Sequence, residues 1–328
     1  MTYIEAIKDG FSLVHRNWQL VLVQVGMVIV STFGFFIIVG IPLAVAFIIF
    51  GIDLTRYTEI KDIFRILEAP SGIISRYLGL LLIVIVSFLL YIIMVSMLGV
   101  YVFGGFVGVI GRSLRDRTLK FRMHTFFEEA KRLFLRVLGF TAVTGIILIA
   151  AAFVLGVLGG GIAALVSFAQ SRDSTLALFL GAFFSMILVI IAITLILGIL
   201  STALYGVASL FFKGTGPLKS FTEAIHYLAG NPLAFWLYTI LFAGYILASF
   251  LVILLSYSLT LIPVIGTVLS FPYQLISYGF QTYLGLAIIA IVFTYYYSAE
   301  IPIEPVEPII ESPIPGPPEQ EEDAKQDS

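Results

Sequence analysis

Residues 174–212 read STLALFLGAFFSMILVIIAITLILGILSTALYGVASLFF, without a single Asp, Glu, Lys, Arg or His. About 20 predominantly apolar residues cross the hydrocarbon core of a bilayer as an α-helix. The stretch is therefore generous for one membrane span, but it is too short for two spans and the turn between them. We predict one transmembrane helix over residues 176–212.

Four further runs, residues 17–52, 77–111, 137–171 and 224–299, also lack Asp, Glu, Lys and Arg. The first three are each long enough for one span, and the fourth is about twice as long as they are and holds two. Proline disrupts a helix because it lacks a backbone N–H. We therefore place the connection between the last two spans at Leu261-Ile-Pro-Val-Ile-Gly266 and Pro272.

This pattern predicts an all-α fold, a polytopic transmembrane helical bundle of six spans, in a membrane domain over residues 1–299. The spans are expected near residues 19–50, 77–110, 137–160, 176–212, 232–256 and 273–297. The composition agrees, because 60% of the residues are hydrophobic and only 12% are charged, against about 25% charged in soluble domains.

The sequence contains no cysteine, so it can form no disulfide. It also has no broad basic surface, so we expect no nucleic-acid partner.

The distribution of Lys and Arg predicts the orientation, because these residues are enriched in cytoplasmic loops. The two termini and the connections on their side of the membrane carry 13 Lys and Arg, and the opposite connections carry 5. We therefore expect a multi-pass protein of the cell membrane with both termini in the cytoplasm. The charged, amphipathic start has no cleavage site after a short apolar stretch, which favours a retained first span.

Three short amphipathic segments precede the first, third and fifth spans, which suggests an internal repeat. Each segment carries a Glu-Ala pair: Glu5-Ala6, Glu129-Ala130 and Glu223-Ala224. The only two asparagines, Asn17 and Asn231, lie where the first and third segments lead into a span. We interpret the chain as three repeats of an interfacial helix plus two spans. The alternative is chance likeness imposed by the chemistry of the membrane edge. A further amphipathic stretch, residues 54–67, is expected on the outer surface.

The loop after the second span is the most basic part of the chain, with eight Lys and Arg against three acidic residues over 112–136. Attraction to anionic lipid contributes on the order of 1 kcal/mol per basic residue near the membrane surface. Possible anionic-lipid contacts are therefore Arg112, Arg115, Arg117, Lys120 and Arg122. The alternative is that this loop only fixes the topology.

The distribution of reactive side chains argues against chemistry inside the membrane. His15, His124 and His226 all lie in or next to amphipathic segments, without a HExxH motif, so we expect no metal site. No Asp, Glu, Lys, Arg or His lies at bilayer depth in the predicted spans, as proton coupling or general acid–base catalysis would require. We expect no catalytic residue and no cofactor. The polar residues available within the spans include Gln24, Ser87, Thr194, Gln274 and Gln281.

Two further features of the sequence are its glycine clusters and its C-terminal segment. Glycines at 104, 105, 108 and 111, and again at 156, 159, 160 and 161, have the spacing that allows close helix packing in lipid. Residues 300–328 are rich in Pro and Glu, which predicts a disordered tail that is available to a protein partner.

The order of three motifs resembles a known family. A Glu-Ala helix precedes the first span, Gly104-Gly-Phe-Val-Gly-Val-Ile-Gly-Arg-Ser-Leu-Arg-Asp-Arg leads into Phe126-Phe-Glu-Glu-Ala-Lys-Arg, and Gly216-Pro-Leu-Lys-Ser-Phe-Thr-Glu-Ala-Ile precedes the fifth span. Residues 1–297 thus resemble the membrane domain of glycerophosphoryl diester phosphodiesterases. The resemblance implies no catalytic residue here, because the family's chemistry belongs to a soluble barrel of about 250 residues.

Three functions are compatible with this sequence. The leading hypothesis is a non-enzymatic integral membrane protein that organises membrane lipids or partner proteins. The alternative is a transporter or flippase for an apolar or amphiphilic molecule, with a groove near Pro42 and Pro263. A third hypothesis is an accessory subunit of a membrane enzyme.

Overall fold

The computed structural model describes residues 1–54, 70–260 and 265–301, which form eight helices. In chain order they are α1 (Tyr3–Arg16), α2 (Gln19–Phe35, continued by a π-helical turn Phe36–Gly40 and by Ile41–Leu54), α3 (Pro70–Arg115), α4 (Met123–Gln170), α5 (Ser174–Phe212), α6 (Pro217–Gly230), α7 (Pro232–Thr260) and α8 (Ile265–Glu300). All except α1 and α6 are long and apolar enough to span a membrane. The prediction of an all-α polytopic bundle with six spans is confirmed.

The boundaries of α5 show how the sequence starts and stops a long apolar helix. Asp173 is the N-cap, and its carboxylate accepts hydrogen bonds from the backbone N–H groups of Thr175 and Leu176 at 2.8 and 3.4 Å. After Lys213, Gly214 adopts a φ of +67°, which glycine reaches without steric cost. Between these two ends α5 is one continuous helix, as its length predicts.

Prolines within the spans act differently from the prediction. Pro272, which we expected in the connection between the last two spans, lies inside α8. Membrane helices tolerate proline because neighbouring groups can satisfy the freed carbonyl. In α2, Pro42 follows the π-helical turn, a common way for a helix to absorb a local break in its hydrogen-bond pattern. The predicted surface helix after residue 54, the Pro263 connection and the tail after Ile301 lie outside the described residues.

The six spans form three hairpins of neighbouring antiparallel helices: α2 with α3, α4 with α5, and α7 with α8. Phe35 packs edge to face on Tyr91 in the first hairpin, with ring centroids 5.3 Å apart. In the second, a Cβ placed on Gly159 would lie 3.5 Å from Leu188. In the third, the Tyr273 hydroxyl donates to a carbonyl of α7. These hairpins correspond to the three units that the sequence suggested.

The hairpins pack together at one end of the bundle, which we call the closed end. Its core is formed mainly by residues 102–113, 126–140, 199–212 and 286–296, together with parts of α1, α6 and α7. The most hydrophobic stretch of each span is otherwise exposed, with at most 6% of its residues buried in five spans and 28% in α8. Surfaces this apolar need lipid around them, which supports a membrane environment.

Both short helices belong to the closed end. Helix α1 packs along α8, where Gly10 approaches the backbone of Ile291 so closely that an added Cβ would lie 2.8 Å from its Cα. Helix α6 packs on α4 and α5, with the Phe140 and Phe221 rings 6.2 Å apart. The second unit has no separate short helix, because its amphipathic segment forms the first turns of α4. The alanines of all three Glu-Ala pairs are fully buried.

The two asparagines make the same local structure. The amide of Asn17 donates to the Leu13 carbonyl at 2.9 Å, and the amide of Asn231 donates to the Tyr227 carbonyl at 3.3 Å. Each asparagine side chain therefore adds a second hydrogen bond to a carbonyl that already accepts the backbone N–H of the same asparagine. The chain then starts a span within three residues, since both asparagine carbonyls accept an N–H from three residues further on. The first and third units thus share this corner between a short helix and a span.

Candidate functional site

Charged side chains ring the closed end, and they include the five residues that we predicted as lipid contacts. Arg112 pairs with the carboxylate of Glu129. Arg115 donates to the Phe212 carbonyl at 3.1 Å and stacks on the Phe211 and Phe212 rings. These arginines are therefore engaged by the protein itself.

The other three predicted lipid contacts, Arg117, Lys120 and Arg122, differ in whether they have a partner within the protein. Arg117 pairs with Asp9 of α1 at 2.9 Å. Lys120 and Arg122 are exposed and have no ion pair or hydrogen bond within the described residues. Asp116 organises the turn before them, because the side chain and backbone of Thr118 donate to its carboxylate and hold the pKa of Asp116 below its usual value. The two free cations are the best placed of the five for an anionic headgroup.

Glu129 is the most deeply placed charge at this end. Its side chain is completely buried, with Arg112 on one carboxylate oxygen and Arg132 2.5 Å from the other. Neither oxygen accepts a well-aligned hydrogen bond within the described residues, so the attraction is one between opposite charges. Because the two guanidinium groups are partly exposed, this cluster joins the buried core to the aqueous rim and links α3 to α4.

A second ion pair connects the ends of α5 and α8. Lys213 donates to a carboxylate oxygen of Glu300 at 2.8 Å. Burial alone would lower the pKa of Lys213, but the hydrogen bonds to Glu300 and Tyr296 outweigh it and raise that pKa. This pair fixes the end of α8 against the end of α5.

Beneath the charged rim, two adjoining cavities lie between the hairpins. The first, which we call the polar cavity, has a volume of about 390 Å³. Its lining comes from α2, α3, α7 and α8: Gln24, Met27, Gly99, Phe103, Phe106, Tyr245, Tyr278, Gln281, Thr282, Gly285, Leu286 and Ile289. Five of these side chains carry a hydroxyl or amide group.

The second, the apolar cavity, has a volume of about 430 Å³. It lies between the second and third hairpins and is lined by Phe103, Phe140, Thr141, Thr144, Gly145, Leu148, Leu200, Ala203, Leu204, Val207, Tyr238, Phe242, Tyr245, Gly285 and Ile288. The Thr144 hydroxyl donates to the Phe140 carbonyl at 3.0 Å, so its polarity is already satisfied within the helix. Each cavity falls within the range of about 300–1,000 Å³ that is typical of ligand pockets.

The two cavities share Phe103, Tyr245 and Gly285 as lining residues. A Cβ placed on Gly285 would meet no atom within 4 Å, so the glycine faces open space at the junction. The two cavities therefore adjoin, and we refer to them together as the paired cavity, with a polar side and an apolar side.

The polar groups of this site are only partly satisfied. The Gln24 amide donates to the Tyr278 hydroxyl at 2.9 Å, which ties α2 to α8. Gln281, Thr282 and Tyr245 make no side-chain hydrogen bond within the described residues. Unsatisfied polar groups at membrane depth cost several kcal/mol each. Such groups are expected to hydrogen-bond water or a ligand that enters the cavity.

The paired cavity is lined by neutral side chains. None of the residues that line it is charged or a histidine. Across the described ranges, no cluster of three or more His, Asp or Glu residues is arranged to hold a metal ion. Amides and hydroxyls without a charged partner do not act as general acids or bases at neutral pH.

The sequence identified part of this site. Of the polar residues singled out within the spans, Gln24 and Gln281 come together in the polar cavity, whereas Ser87, Thr194 and Gln274 line neither cavity. Pro42 lines neither cavity, but a smaller pocket of about 250 Å³ between α2 and α3 begins at the neighbouring Leu43. Pro263 is outside the described residues, so the groove expected near Pro42 and Pro263 stays a prediction.

The sequence reading missed Phe103, Tyr245 and Gly285, which join the two cavities. Tyrosines and glycines are frequent in these spans, so no local signal marks these three. Comparison with known proteins adds no assignment: no protein-family model matches the chain, and no curated protein or solved structure is significantly similar to it. The resemblance to the phosphodiesterase membrane domain stays a prediction.

Proposed function

We propose that this chain is a non-enzymatic integral membrane protein that organises lipid by binding a membrane amphiphile in the paired cavity. The observation that carries the proposal is that a polar and an apolar cavity adjoin and share Phe103, Tyr245 and Gly285 as lining residues. An amphiphile has the same division, with a headgroup that needs hydrogen bonds and a tail that needs apolar surroundings.

The surroundings of the cavity support this function over catalysis. Arg112, Arg115 and Arg117 of the closed end are engaged with other helices of the bundle. The cavity itself offers hydrogen bonds and apolar surface without ionisable groups. We further propose that the closed end faces the cytoplasm of the cell, as the distribution of Lys and Arg indicates, and that the tail after Ile301 can recruit a protein partner.

Filling the junction of the two cavities tests the proposal. Gly285→Leu would start a side chain in open space, because its Cβ would meet no atom within 4 Å, whereas Gly244→Leu adds the same side chain on the lipid-exposed face of α7. Both changes raise helix propensity by a similar amount. Native mass spectrometry of the purified protein should show bound lipid in the wild type and in Gly244→Leu, and at least fivefold less in Gly285→Leu. Equal lipid in all three proteins would contradict the proposal.

A transporter or flippase is the second candidate, and one observation favours it. Ile41–Leu54, the outer part of α2, packs on α3 and makes no substantial contact with another hairpin within the described residues. Alternating access requires one hairpin to move relative to its neighbours, and limited packing between hairpins favours such movement. Proteoliposomes with a fluorescent glycosyl diacylglycerol test this function. Transbilayer movement that Gly285→Leu abolishes supports transport, and movement no faster than in protein-free liposomes rejects it.

A further inference from the structure

The side chains that line the polar cavity indicate the chemical class of its ligand. Gln24, Gln281, Thr282, Tyr245 and Tyr278 supply its polar groups, and all are neutral. Amides and hydroxyls both donate and accept hydrogen bonds, so this set matches a headgroup that also does both. A hydroxyl or a carbonyl has this property.

A phosphate headgroup would find no counter-ion in this place. Along α3, the nearest cation to the polar cavity is Arg112, six residues beyond Phe106, or about 9 Å of helix. Arg112 is already paired with the buried carboxylate of Glu129. Along α8, the nearest charged residue after Gly285 is Glu300, an anion that is paired with Lys213. Burying a charge without a partner is far more costly than burying a hydrogen-bonded neutral group.

The positions of the two cavities also give the ligand a direction. On α8, Tyr278, Gln281 and Thr282 lie one to two turns before Gly285, while the apolar cavity starts at Gly285 and continues between α4 and α5. A headgroup beside Gln281 therefore leaves its tail to pass Phe103 and Tyr245 into the apolar cavity.

We infer that the ligand is a neutral amphiphile, with an uncharged hydroxyl or carbonyl headgroup hydrogen-bonded at Gln281 and an apolar tail in the apolar cavity. This inference rests on the proposed function, because it names the ligand class of the same site. It separates glycerolipids that differ only in their headgroup. Diacylglycerol fits the site, and phosphatidic acid with the same acyl chains does not.

The test compares these two lipids as probes on the purified full-length protein in nanodiscs, with binding followed by native mass spectrometry. Diacylglycerol should bind at least tenfold more tightly than phosphatidic acid. Gln281→Leu should weaken diacylglycerol binding about tenfold, the effect of losing one or two hydrogen bonds. Gln274→Leu makes the same change on an exposed face of the same helix and should have no effect.

The outcomes distinguish this inference from the function beneath it. Phosphatidic acid that binds as tightly as diacylglycerol, with binding lost in Gly285→Leu, overturns the neutral headgroup and leaves the paired cavity as the lipid site. If neither lipid binds and Gly285→Leu releases no co-purified lipid, the proposed function fails as well. Equal effects of Gln281→Leu and Gln274→Leu overturn the placement of the headgroup.

Discussion

Gly108 of α3 lies so close to Glu129 of α4 that a Cβ on the glycine would be 2.3 Å from the Glu129 Cβ. No real pair of carbon atoms that are not bonded approaches this closely, so only glycine fits. The approach brings α3 against Glu129, whose side chain is fully buried between two arginine partners. A small residue on one helix thereby determines where the charge on the next is held.

We predict that Gly108→Ala destabilises the closed end. The new methyl group must displace Glu129 or separate the helices, and overpacking of this kind costs about 1–3 kcal/mol. Gly156→Ala is the matched control, because a Cβ there meets no atom within 4 Å and alanine favours a helix. Thermal unfolding of the protein in detergent should show a lower Tm for Gly108→Ala and an unchanged or higher Tm for Gly156→Ala. The same Tm for both variants would argue against the close approach.

We also predict that two neighbouring glutamates differ in their contribution to stability. Glu129→Gln removes the charge that faces Arg112 and Arg132, and leaving buried polar groups unpaired costs about 1–3 kcal/mol. Glu128 is half-exposed and lies 3.8 Å from Arg112, so Glu128→Gln should cost less than about 1 kcal/mol. Thermal unfolding of the two variants at one salt concentration compares them directly. A larger loss of Tm in Glu128→Gln would contradict the assignment of Glu129 as the central partner.

The number and type of the spans could be predicted because they depend on local composition. A charge-free run of the length of residues 174–212 is stable in a bilayer as an α-helix, because a helix satisfies its own backbone hydrogen bonds. Helix α5 has this conformation. The position of Pro272 could not be predicted in the same way. Whether proline ends a membrane helix depends on neighbours in other helices, which one sequence does not reveal.

The candidate site could be predicted only in part, for a related reason. Gln24 and Gln281 stand out as polar groups in apolar spans, and the structure brings them to one cavity. That a cavity lies between them is a consequence of how three hairpins pack. Gly285 belongs to the site because it faces open space, a property that only the packed structure shows.

The corners at the two asparagines should differ in strength. The Asn17 side chain is completely buried and its amide bonds the Leu13 carbonyl, whereas Asn231 is exposed. We expect Asn17→Ala to cost about 1–2 kcal/mol, because a buried carbonyl loses one of its partners, and Asn231→Ala to cost less, because water can replace its amide. Hydrogen exchange at the start of α2 and α7 measures both corners. Faster exchange only at α7 would reverse the assignment.

The orientation can be tested on this chain without removing any residue, since it contains no cysteine. A cysteine at Thr118, in the exposed turn at the closed end, should be protected from an impermeant thiol reagent added to intact cells. A cysteine at Ser171, between α4 and α5 at the opposite end, should be labelled. Labelling at 118 with protection at 171 would place the closed end outside the cell.

Photo-crosslinking tests the central claim, that the paired cavity holds the lipid, most directly. The probe is a diacylglycerol analogue with a photoreactive group in its tail, incorporated into native membranes and irradiated before the protein is digested and sequenced. We predict adducts on the residues that face the apolar cavity, Phe103, Thr144 and Leu204 among them, and their loss in Gly285→Leu but not in Gly244→Leu. Adducts confined to the outer, lipid-exposed halves of the hairpins, unchanged by Gly285→Leu, would contradict the account.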